Sequence, residues 1–242
     1  MGITVFKPEV CTFCSELSGL LKTTNYGKLT GQYSQSRILW SNKDFAIIPS
    51  LGPLVEGHLL LIPKHHEFSF VNLSKSILSE AEKLILSIIQ FFRQQKHSTL
   101  IFEHGAIVQA GCAYERRLKK VKAGACTDHA HIHIVPCLSA APVIQKMNDI
   151  HFHLEKRKLQ HLSEMHEAVE RDFPYIIIGS SRMKSWVLYV IDELPSQFMR
   201  QIVASIVGLK EWSWYRSPCI DSVQKTVQYM GPLLNRWLRT NL

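Results

Sequence analysis

The alternation of polar and apolar residues is strictest at residues 129–135, where three histidines are interleaved with small or branched apolar side chains. On a β-strand, side chains two positions apart project from one face, so the spacing predicts that His129, His131 and His133 share one side of a strand. At a rise of ~3.3 Å per residue, their rings would lie about 6–7 Å apart. That distance allows one ring to bind a metal while its neighbour acts on a substrate. The intervening residues, which are predicted to face a core, are Ala130, Ile132 and Ile134.

Shorter apolar runs predict the remaining strands. The predicted elements are a hairpin of strands 37–40 and 45–49, single strands at 58–63 and 99–102, and a second hairpin of strands 174–179 and 185–191. Residues 15–35 are polar and contain glycine, which predicts a loop.

Apolar residues at helical spacing predict an amphipathic helix over residues 75–96, capped by Asn72 or Ser74. Further helices are predicted at 144–172, 195–208 and 220–239. The elements indicate an α+β fold, an antiparallel sheet with packed helices. The predicted first domain is 1–143, and residues 144–242 form a docked α/β extension of hairpin and helices.

Composition describes an ordinary globular chain, with 242 residues, 46% of them hydrophobic. No apolar run reaches the ~20 residues that a membrane helix needs. The first residues lack a charged segment followed by an apolar one, so we expect a cytoplasmic protein with no membrane partner. The net charge of +8 favours anionic partners such as nucleotides, nucleic acid or acidic surfaces.

Cys11 and Cys14 form a CxxC pair near the start of the chain. In a cytosolic protein, such a pair indicates a metal or redox site rather than a disulfide framework. A thioredoxin-type motif would end a strand and open a helix, which this segment does not predict. A reduced pair without metal is the alternative to a metal site.

A closed zinc site requires four ligands, and the cysteine pair supplies two. His129 is the predicted third ligand if the N-terminal segment packs beside the histidine strand. His66, just past the strand that ends at Pro63, is the best fourth candidate. His65 or His58 could take its place.

His131 is then free of metal, and a neutral imidazole is a competent nucleophile toward phosphorus. Attack on an α-phosphate would require one ring nitrogen unprotonated and the other held by an acceptor such as a backbone carbonyl. His133 could donate to the phosphoryl oxygens or protonate the leaving group. Backbone N–H groups of the turn from Gly124 to Cys126 could cradle the phosphate.

A long connection, residues 106–127, leads into the histidine strand. Long loops are often lids or binding elements, and this one carries a basic stretch at 116–122. We predict that this stretch contacts phosphate, with a solvated charged surface as the alternative.

The run from His129 to Val135 resembles the signature of the histidine-triad (HIT) superfamily of nucleotide hydrolases and transferases. The CxxC pair, the segment Gly57–His66, the helix, the strand and the triad follow in the family's order over residues 5–137. The resemblance implies that His131 is the nucleophile and that His133 contacts phosphate. For zinc-containing members it implies the ligands Cys11, Cys14, His66 and His129.

Three segments differ from the family pattern. Glu103, His104 and Gly105 stand where many members have Asn and Gly, and Gly124-Ala125-Cys126 replaces the usual Gly-Gln-Ser. Ser50 stands where a ribose-binding Asp is frequent. These differences predict altered nucleoside recognition, with phosphate or nucleotide contacts from Ser50, His104, Gly124 and Cys126.

The extension is similar to the tail that follows the HIT-like domain in splicing-associated, lariat-debranching cofactor proteins. The similar segments are 174–191, 194–200 and 212–214. This resemblance implies a partner larger than a nucleotide, either RNA or a protein complex, reached through the basic stretch or the extension.

The motifs together predict a HIT-type nucleotide hydrolase or nucleotidyltransferase that forms a covalent nucleotidyl-histidine intermediate. His133 replaces the Gln typical of the transferases, which favours hydrolysis. The alternative is a non-catalytic or weakly catalytic zinc-stabilised module that binds RNA or a protein complex. Many HIT proteins dimerise, but the extension could cover the surface that they use, so a homodimer is one of two possibilities. The motifs do not specify the base of the nucleotide or the leaving group.

Overall fold

A computed structural model describes residues 11–105, 129–150, 153–169, 174–181, 185–191 and 195–242. Eight strands form one sheet in the order β1-β2-β3-β5-β4-β7-β8-β6, and all neighbouring strands are antiparallel. The strands are β1 (Trp40–Ser41), β2 (Phe45–Pro49), β3 (Leu59–Pro63), β4 (Thr99–Gly105), β5 (Ile132–Pro136), β6 (His153–Leu159), β7 (Tyr175–Ser180) and β8 (Trp186–Ile191). The predicted α+β class with an antiparallel sheet is confirmed.

Eight α-helices pack around the sheet in the described ranges. They are α1 (Thr12–Leu17), α2 (Asn25–Thr30), α3 (Lys75–Gln94), α4 (Ala141–Asn148), α5 (Met165–Ala168), α6 (Phe198–Val207), α7 (Ile220–Lys225) and α8 (Gly231–Asn241). Short 3-10 helices lie at Leu21–Thr23, Phe70–Asn72 and Leu162–Glu164, and a π-helical turn at Thr226–Met230 joins α7 to α8. Within the described ranges, no helix combines the length and apolar character needed to cross a bilayer.

The long helix α3 follows from its apolar spacing and its cap. The side chain of Ser74 accepts a hydrogen bond from the backbone N–H of Ile77 at 3.3 Å, so Ser74 rather than Asn72 is the N-cap. The buried face of α3 packs on the sheet, and α8 lies beside it. Trp237 of α8 donates to the backbone carbonyl of Ser87 at 3.0 Å.

The sheet separates two cores, and the residues between the triad histidines alternate with them across the sheet. Ala130, Ile132 and Ile134 are buried in the core beneath α3, as the period of two predicts. Phe102 and Val135 contribute to the opposite core, which α4 and α6 cover. The histidine rings therefore lie on the side of the sheet opposite α3, the side that α4 and α6 cover.

The extension continues the same sheet. Strand β7 pairs with β4 from Leu100–Ser180 to Gly105–Tyr175, and β8 and β6 follow outward. The predicted second hairpin is present in the described residues, although residues 182–184 lie outside them. The division at residue 143 stays a prediction.

The predicted helix over 144–172 is wrong. The chain forms α4, then strand β6, then the short helix α5. Residues 155–158 are all exposed because β6 lies at the edge of the sheet and pairs only with β8. The strand consequently does not alternate between buried and exposed residues. Its charged sequence therefore lacks the alternation of apolar and polar residues that predicts a strand.

The prediction of a loop over 15–35 is also wrong in part, because α1 and α2 lie there. Glu16 of α1 binds Arg37 through two bonds of 2.8 Å, and Arg37 also donates to the carbonyl of Pro49. Both charged side chains are almost fully buried. A buried, bidentate pair of this kind holds α1 against β2, and α1 is the helix that begins at the cysteine pair.

The aromatic cluster at 212–215 packs onto the first part of the chain. Trp214 packs against a buried group that contains Tyr26, Leu51 and Val223. Gly52 has a φ of +57°, and a Cβ at this position would lie 2.5 Å from the Cα of Trp214. Only glycine therefore permits this close approach.

Glu103 lies on β4, on the side of the sheet that packs against α3, and it is 1% exposed. Its carboxylate accepts hydrogen bonds from the hydroxyl of Tyr175 at 2.5 Å and from the backbone N–H of Phe70 at 2.8 Å. Burial raises the pKa of Glu103 from 4.5 to about 7, against the opposing effect of these two hydrogen bonds.

We expect this carboxyl to make the protein less stable as the pH rises. The protonated form is favoured in the folded state, so its contribution is full below pH 4.5 and disappears as the pH rises through about 7. A shift of this size corresponds to about 3 kcal/mol. Urea denaturation at pH values between about 5 and 8 measures the slope, which Glu103→Gln should flatten. The matched change in the exposed Glu56 should leave the slope intact. An unchanged slope in Glu103→Gln would contradict the assignment.

Candidate active site and metal centre

Four potential metal ligands converge beside the sheet. One ligand atom from each of Cys11, Cys14, His66 and His129 lies within 4.8 Å of all the others. His129 Nδ1 is 3.4 Å from Cys11 Sγ and 3.5 Å from Cys14 Sγ. His66 Nδ1 is 3.3 Å from Cys14 Sγ and 3.2 Å from His129 Nδ1. The structure thus brings together the four residues that the sequence assigned to zinc.

These distances match the edges of a tetrahedral zinc site. With Zn–S bonds of about 2.3 Å and Zn–N bonds of about 2.0–2.1 Å, the S–N edges are about 3.5 Å and the N–N edges about 3.3 Å. The hydrogen bond between the two cysteines lowers the pKa of the Cys11 thiol and raises the pKa of the Cys14 thiol, so one sulfur is a thiolate and the other keeps its proton. Donor set and geometry are therefore compatible with zinc.

The local structure explains why these four residues meet. Cys11 is the N-cap of α1, and its sulfur accepts from the backbone N–H of Cys14 at 3.5 Å. His66 follows the end of β3 and His129 precedes β5, and these strands pair, so both histidines lie at one end of the sheet. His129 Nε2 donates to the carbonyl of Pro63 at 2.8 Å, which orients its ring.

The two alternative ligands lie elsewhere. His65 is exposed, and the ring of His58 contacts His133 instead of the cysteines. Among the described histidines, His66 is therefore the one placed to complete the set with His129.

A cavity that is open to solvent on one side adjoins this cluster. Its walls come from the N-terminal helices, the sheet and the C-terminal extension. The lining residues are Thr12, Phe13, Asn25, Arg37, Ser50, Leu51, Leu60, Phe102, His104, His131, His133, Gln197, Met199, Arg200 and Trp214. The predicted catalytic histidines thus share one cavity with residues of both parts of the chain.

The hydrogen bond of His131 fixes its tautomer. Nδ1 lies 2.8 Å from the carbonyl oxygen of His129, which can only accept, so Nδ1 carries the proton. Burial lowers the pKa of His131 to about 4, so the ring is neutral near pH 7. Nε2 therefore keeps its lone pair, which is the state that a nucleophilic imidazole needs.

His133 has the opposite tautomer, set by His58. The backbone N–H of Leu54 donates to His58 Nδ1 at 3.2 Å, so the proton of His58 is on Nε2. That Nε2–H donates to His133 Nδ1 at 2.9 Å, which leaves the proton of His133 on Nε2. Burial lowers the pKa of both rings well below 6.5, so both are neutral. One wall of the cavity thus carries a nucleophilic nitrogen and a neighbouring N–H donor.

Aromatic contacts hold these rings in place. The centroids of His131 and His133 are 4.9 Å apart, closer than the spacing that an ideal strand predicts. Phe102 stacks on His133 at 4.4 Å and an interplanar angle of 12°. Phe13 presents its ring edge to His129 at 5.7 Å and to His131 at 5.6 Å. Because Phe13 lies between the cysteines in sequence, it links the metal cluster to the cavity.

Arg200 of α6 brings a buried positive charge from the extension. Its guanidinium donates to the carbonyls of Trp212 at 3.0 Å and of Gly52, and to Ser50 Oγ at 3.4 Å. It is one of the secondary causes, after burial, that lower the pKa of His131 and His133. A cation beside two neutral imidazoles favours an anionic ligand in this cavity.

The structure places two of the four predicted nucleotide contacts. Ser50 and His104 line the cavity, whereas Gly124, Cys126 and the basic stretch at 116–122 lie outside the described residues. Sequence reasoning missed the four lining residues of the extension, Gln197, Met199, Arg200 and Trp214. Their only local signal is the charged Arg200 within an otherwise apolar helix face.

Residues 34–153 match a family model described as "Protein similar to CwfJ C-terminal". The match covers the segment from before β1 to the start of β6 and does not reach the segment 174–214 that carries the sequence resemblance of the extension. No curated protein matches the chain.

Several solved structures are similar. A zinc-bound histidine triad family protein from Mycobacterium smegmatis is 19% identical over 54% of this chain and 76% of that chain, with a TM-score of 0.36. Yeast Ap4A phosphorylase Apa2 in complex with Ap4A is 12% identical over 91% of this chain and 81% of that chain, with a TM-score of 0.42. The same yeast enzyme in complex with AMP is 16% identical over 64% of this chain and 58% of that chain, with a TM-score of 0.40.

The motif order, the antiparallel sheet and the matched family segment lead to one conclusion. The chain resembles histidine-triad proteins in the order of its motifs, and residues 34–153, just under half of it, are similar to the family described as "Protein similar to CwfJ C-terminal".

Proposed function

We propose that this protein cleaves a nucleotide conjugate at its α-phosphate through a nucleotidyl intermediate on His131, with water as the preferred acceptor. The observation that carries the proposal is the pair of opposite tautomers on one cavity wall. His131 offers a lone pair on Nε2, and His133 offers an N–H on Nε2. A nucleophile beside a hydrogen-bond donor is the arrangement that phosphoryl transfer requires.

In the first step, His131 Nε2 attacks the α-phosphorus. A P–N bond forms, the bond from phosphorus to the leaving oxygen breaks, and its electron pair departs with that oxygen. A leaving group that is itself a phosphate departs as an anion and needs no proton. His133 donates a hydrogen bond to a phosphoryl oxygen, which stabilises the charge that develops there.

In the second step, water attacks the same phosphorus. The new P–O bond replaces the P–N bond, and the electron pair of that bond returns to His131 Nε2. The water loses one proton to solvent, and the products are a nucleoside monophosphate and the free histidine. Replacement of water by another acceptor would give the transferase reaction.

Charge and burial support this scheme. Arg200 lines the cavity and is 5% exposed, whereas the charge of Arg37, another lining residue, is balanced by its bidentate pair with Glu16. Charges in such a water-poor site interact more strongly with a phosphate than they would at the surface. The neutral rings of His131 and His133 add no competing charge.

We infer that zinc occupies the cluster of cysteines and histidines as a structural ion. When bound, it would supply a cross-link between the start of α1, the end of β3 and the start of β5. The cross-link would keep Phe13 against the ring of His131. RNA and protein partners and a homodimer stay predictions of the sequence.

Intact-mass spectrometry tests the proposed intermediate. The full chain is mixed briefly with diadenosine tetraphosphate, diguanosine tetraphosphate, an adenosine phosphoramidate or a nucleotide sugar, and is then denatured. We expect a mass gain of one nucleoside monophosphate with a substrate of the right base, and no gain in His131→Ala. The adduct should be lost in acid and survive in base, as phosphoramidates do.

His97→Ala, a change in an exposed histidine, is the matched control and should keep the adduct. Turnover of any of these compounds without an adduct in the wild type, or an adduct that persists in His131→Ala, would contradict the proposal. If the wild type turns over none of them and binds RNA with a steep salt dependence, the non-catalytic alternative is favoured.

A further inference from the structure

Two polar side chains in the cavity wall have buried atoms without hydrogen-bond partners. His104 of β4 is 6% exposed, and neither ring nitrogen has a partner among the described residues. Gln197, which precedes α6, is 7% exposed, and its Oε1 likewise has none. Buried polar atoms are nearly always hydrogen-bonded in folded proteins, so a pair of exceptions in one cavity requires an explanation.

The backbone of Gln197 is unusual as well. Its φ of +59° and ψ of 23° lie in the left-handed region, which a residue other than glycine rarely adopts. Strained residues persist where the surrounding structure holds them, and they cluster at binding sites. Strain, burial and an unpaired acceptor at one residue point to a ligand that compensates for them.

The missing hydrogen bonds define the chemistry of that ligand. Gln197 Oε1 accepts only, so the ligand must donate to it. Burial lowers the pKa of His104 to about 4, so its neutral ring needs one donor and one acceptor. The ligand must therefore supply two donors and one acceptor. Ionised phosphate oxygens only accept, whereas two neighbouring hydroxyl groups meet the requirement.

The position of His104 indicates which hydroxyls these are. His104 lies two residues from Phe102, on the same face of β4, and the ring of Phe102 stacks on His133. His104 is therefore next to the histidines that would handle the phosphate, and Gln197 lines the same cavity. In a nucleotide, the ribose is the group bonded directly to the α-phosphate, and it carries two adjacent hydroxyls.

We propose that His104 and Gln197 bind the ribose hydroxyls of the nucleotide, so that the extension supplies a specificity-determining residue for ribonucleotides. The inference rests on the proposed function, because it assumes that the phosphate of the same ligand lies beside His131. Gln197 thereby gives the C-terminal segment a direct role in substrate selection.

Isothermal titration calorimetry of the full chain tests the proposal with AMP, 2′,3′-dideoxy-AMP and ribose 5-phosphate. A site that hydrogen-bonds a substrate hydroxyl discriminates strongly against the analogue without it, and we expect at least about a tenfold weaker affinity for dideoxy-AMP. Gln197→Met and His104→Phe, which keep side-chain size, should each weaken binding of AMP and ribose 5-phosphate. Neither should change the affinity for dideoxy-AMP by more than a few-fold.

Gln201→Met on the same helix and His97→Phe on the surface are the matched controls, and both should bind as the wild type does. Thermal melts establish that each variant is folded. Because the two variants are independent, one of them still tests the proposal if the other does not fold. Four results would overturn the proposal. They are equal wild-type affinities for AMP and dideoxy-AMP, no binding of AMP at millimolar concentration, unchanged AMP binding in both variants, and variants that lose AMP but not ribose 5-phosphate.

The test of the ribose contact and the test of the His131 intermediate can give different results. A His131 adduct that forms equally from ribonucleotide and dideoxynucleotide substrates would remove the ribose contact and leave the intermediate. A ribose preference that depends on Gln197, without any adduct, would do the reverse.

Discussion

Turnover should fall by at least about 10⁴-fold when His131 is replaced by alanine, because the attacking nitrogen is lost while the cavity remains. His133, His58 and Arg200 stay in place in this variant, so binding of a nucleoside monophosphate should change by only a few-fold. Steady-state hydrolysis of the substrate that gives the mass adduct, with calorimetric binding of its product, measures the two effects.

The matched control is His161→Ala, a change in an exposed histidine far from the cavity residues. Turnover in His131→Ala within about tenfold of the wild type would show that another group attacks the phosphorus. Equal losses of turnover and of product binding would indicate a damaged cavity instead of a missing nucleophile.

Removal of the metal should have the second large effect. Structural zinc sites contribute about 10–16 kcal/mol in small peptides, and this larger protein retains its own core. We therefore expect a loss of about 5 kcal/mol, which corresponds to a fall of about 10–20 °C in Tm for a chain of this size. Cys14→Ser should lose the metal and show this fall, and a strong chelator should do the same to the wild type. Metal analysis by mass spectrometry and thermal unfolding by circular dichroism give the two readouts.

Cys219→Ser is the control, because this exposed cysteine lies outside the cluster. It should retain one zinc per chain and the wild-type Tm. A wild-type protein purified without metal that melts at the same temperature with and without added zinc would refute the structural role of the cluster.

The histidine segment was predictable because its chemistry is local. A period of two places Ala130, Ile132 and Ile134 in one core and their histidine neighbours on the other side, and the structure has this arrangement. The strand itself begins only at Ile132. Before it, the Nδ1 of His131 bonds to the carbonyl of His129 within the same segment.

The cluster of cysteines and histidines was predictable for a related reason. Cysteine and histidine have few common roles when they occur at these spacings, and the order of the motifs along the chain supports the grouping. The sequence left the fourth ligand open between His66, His65 and His58. Only the pairing of β3 with β5 brings His66 to the cluster and turns His58 toward His133.

The extension was harder to predict because its structure depends on distant contacts. Strand β6 is exposed on an edge and shows no periodic burial, so its sequence does not predict a strand. Gln197 and Arg200 line the cavity because α6 docks on this face of the sheet, where Arg200 donates to the carbonyl of Gly52. No spacing in the sequence connects residue 200 with residue 50.

The pairing of β7 with β4 has a consequence for how this chain can vary. A chain shortened to end at residue 143 would leave the six paired residues of β4 without their outer neighbour. Such a bare, apolar edge recruits strands from other molecules and leads to aggregation. We therefore expect a chain trimmed at residue 143 to be less soluble than the full chain.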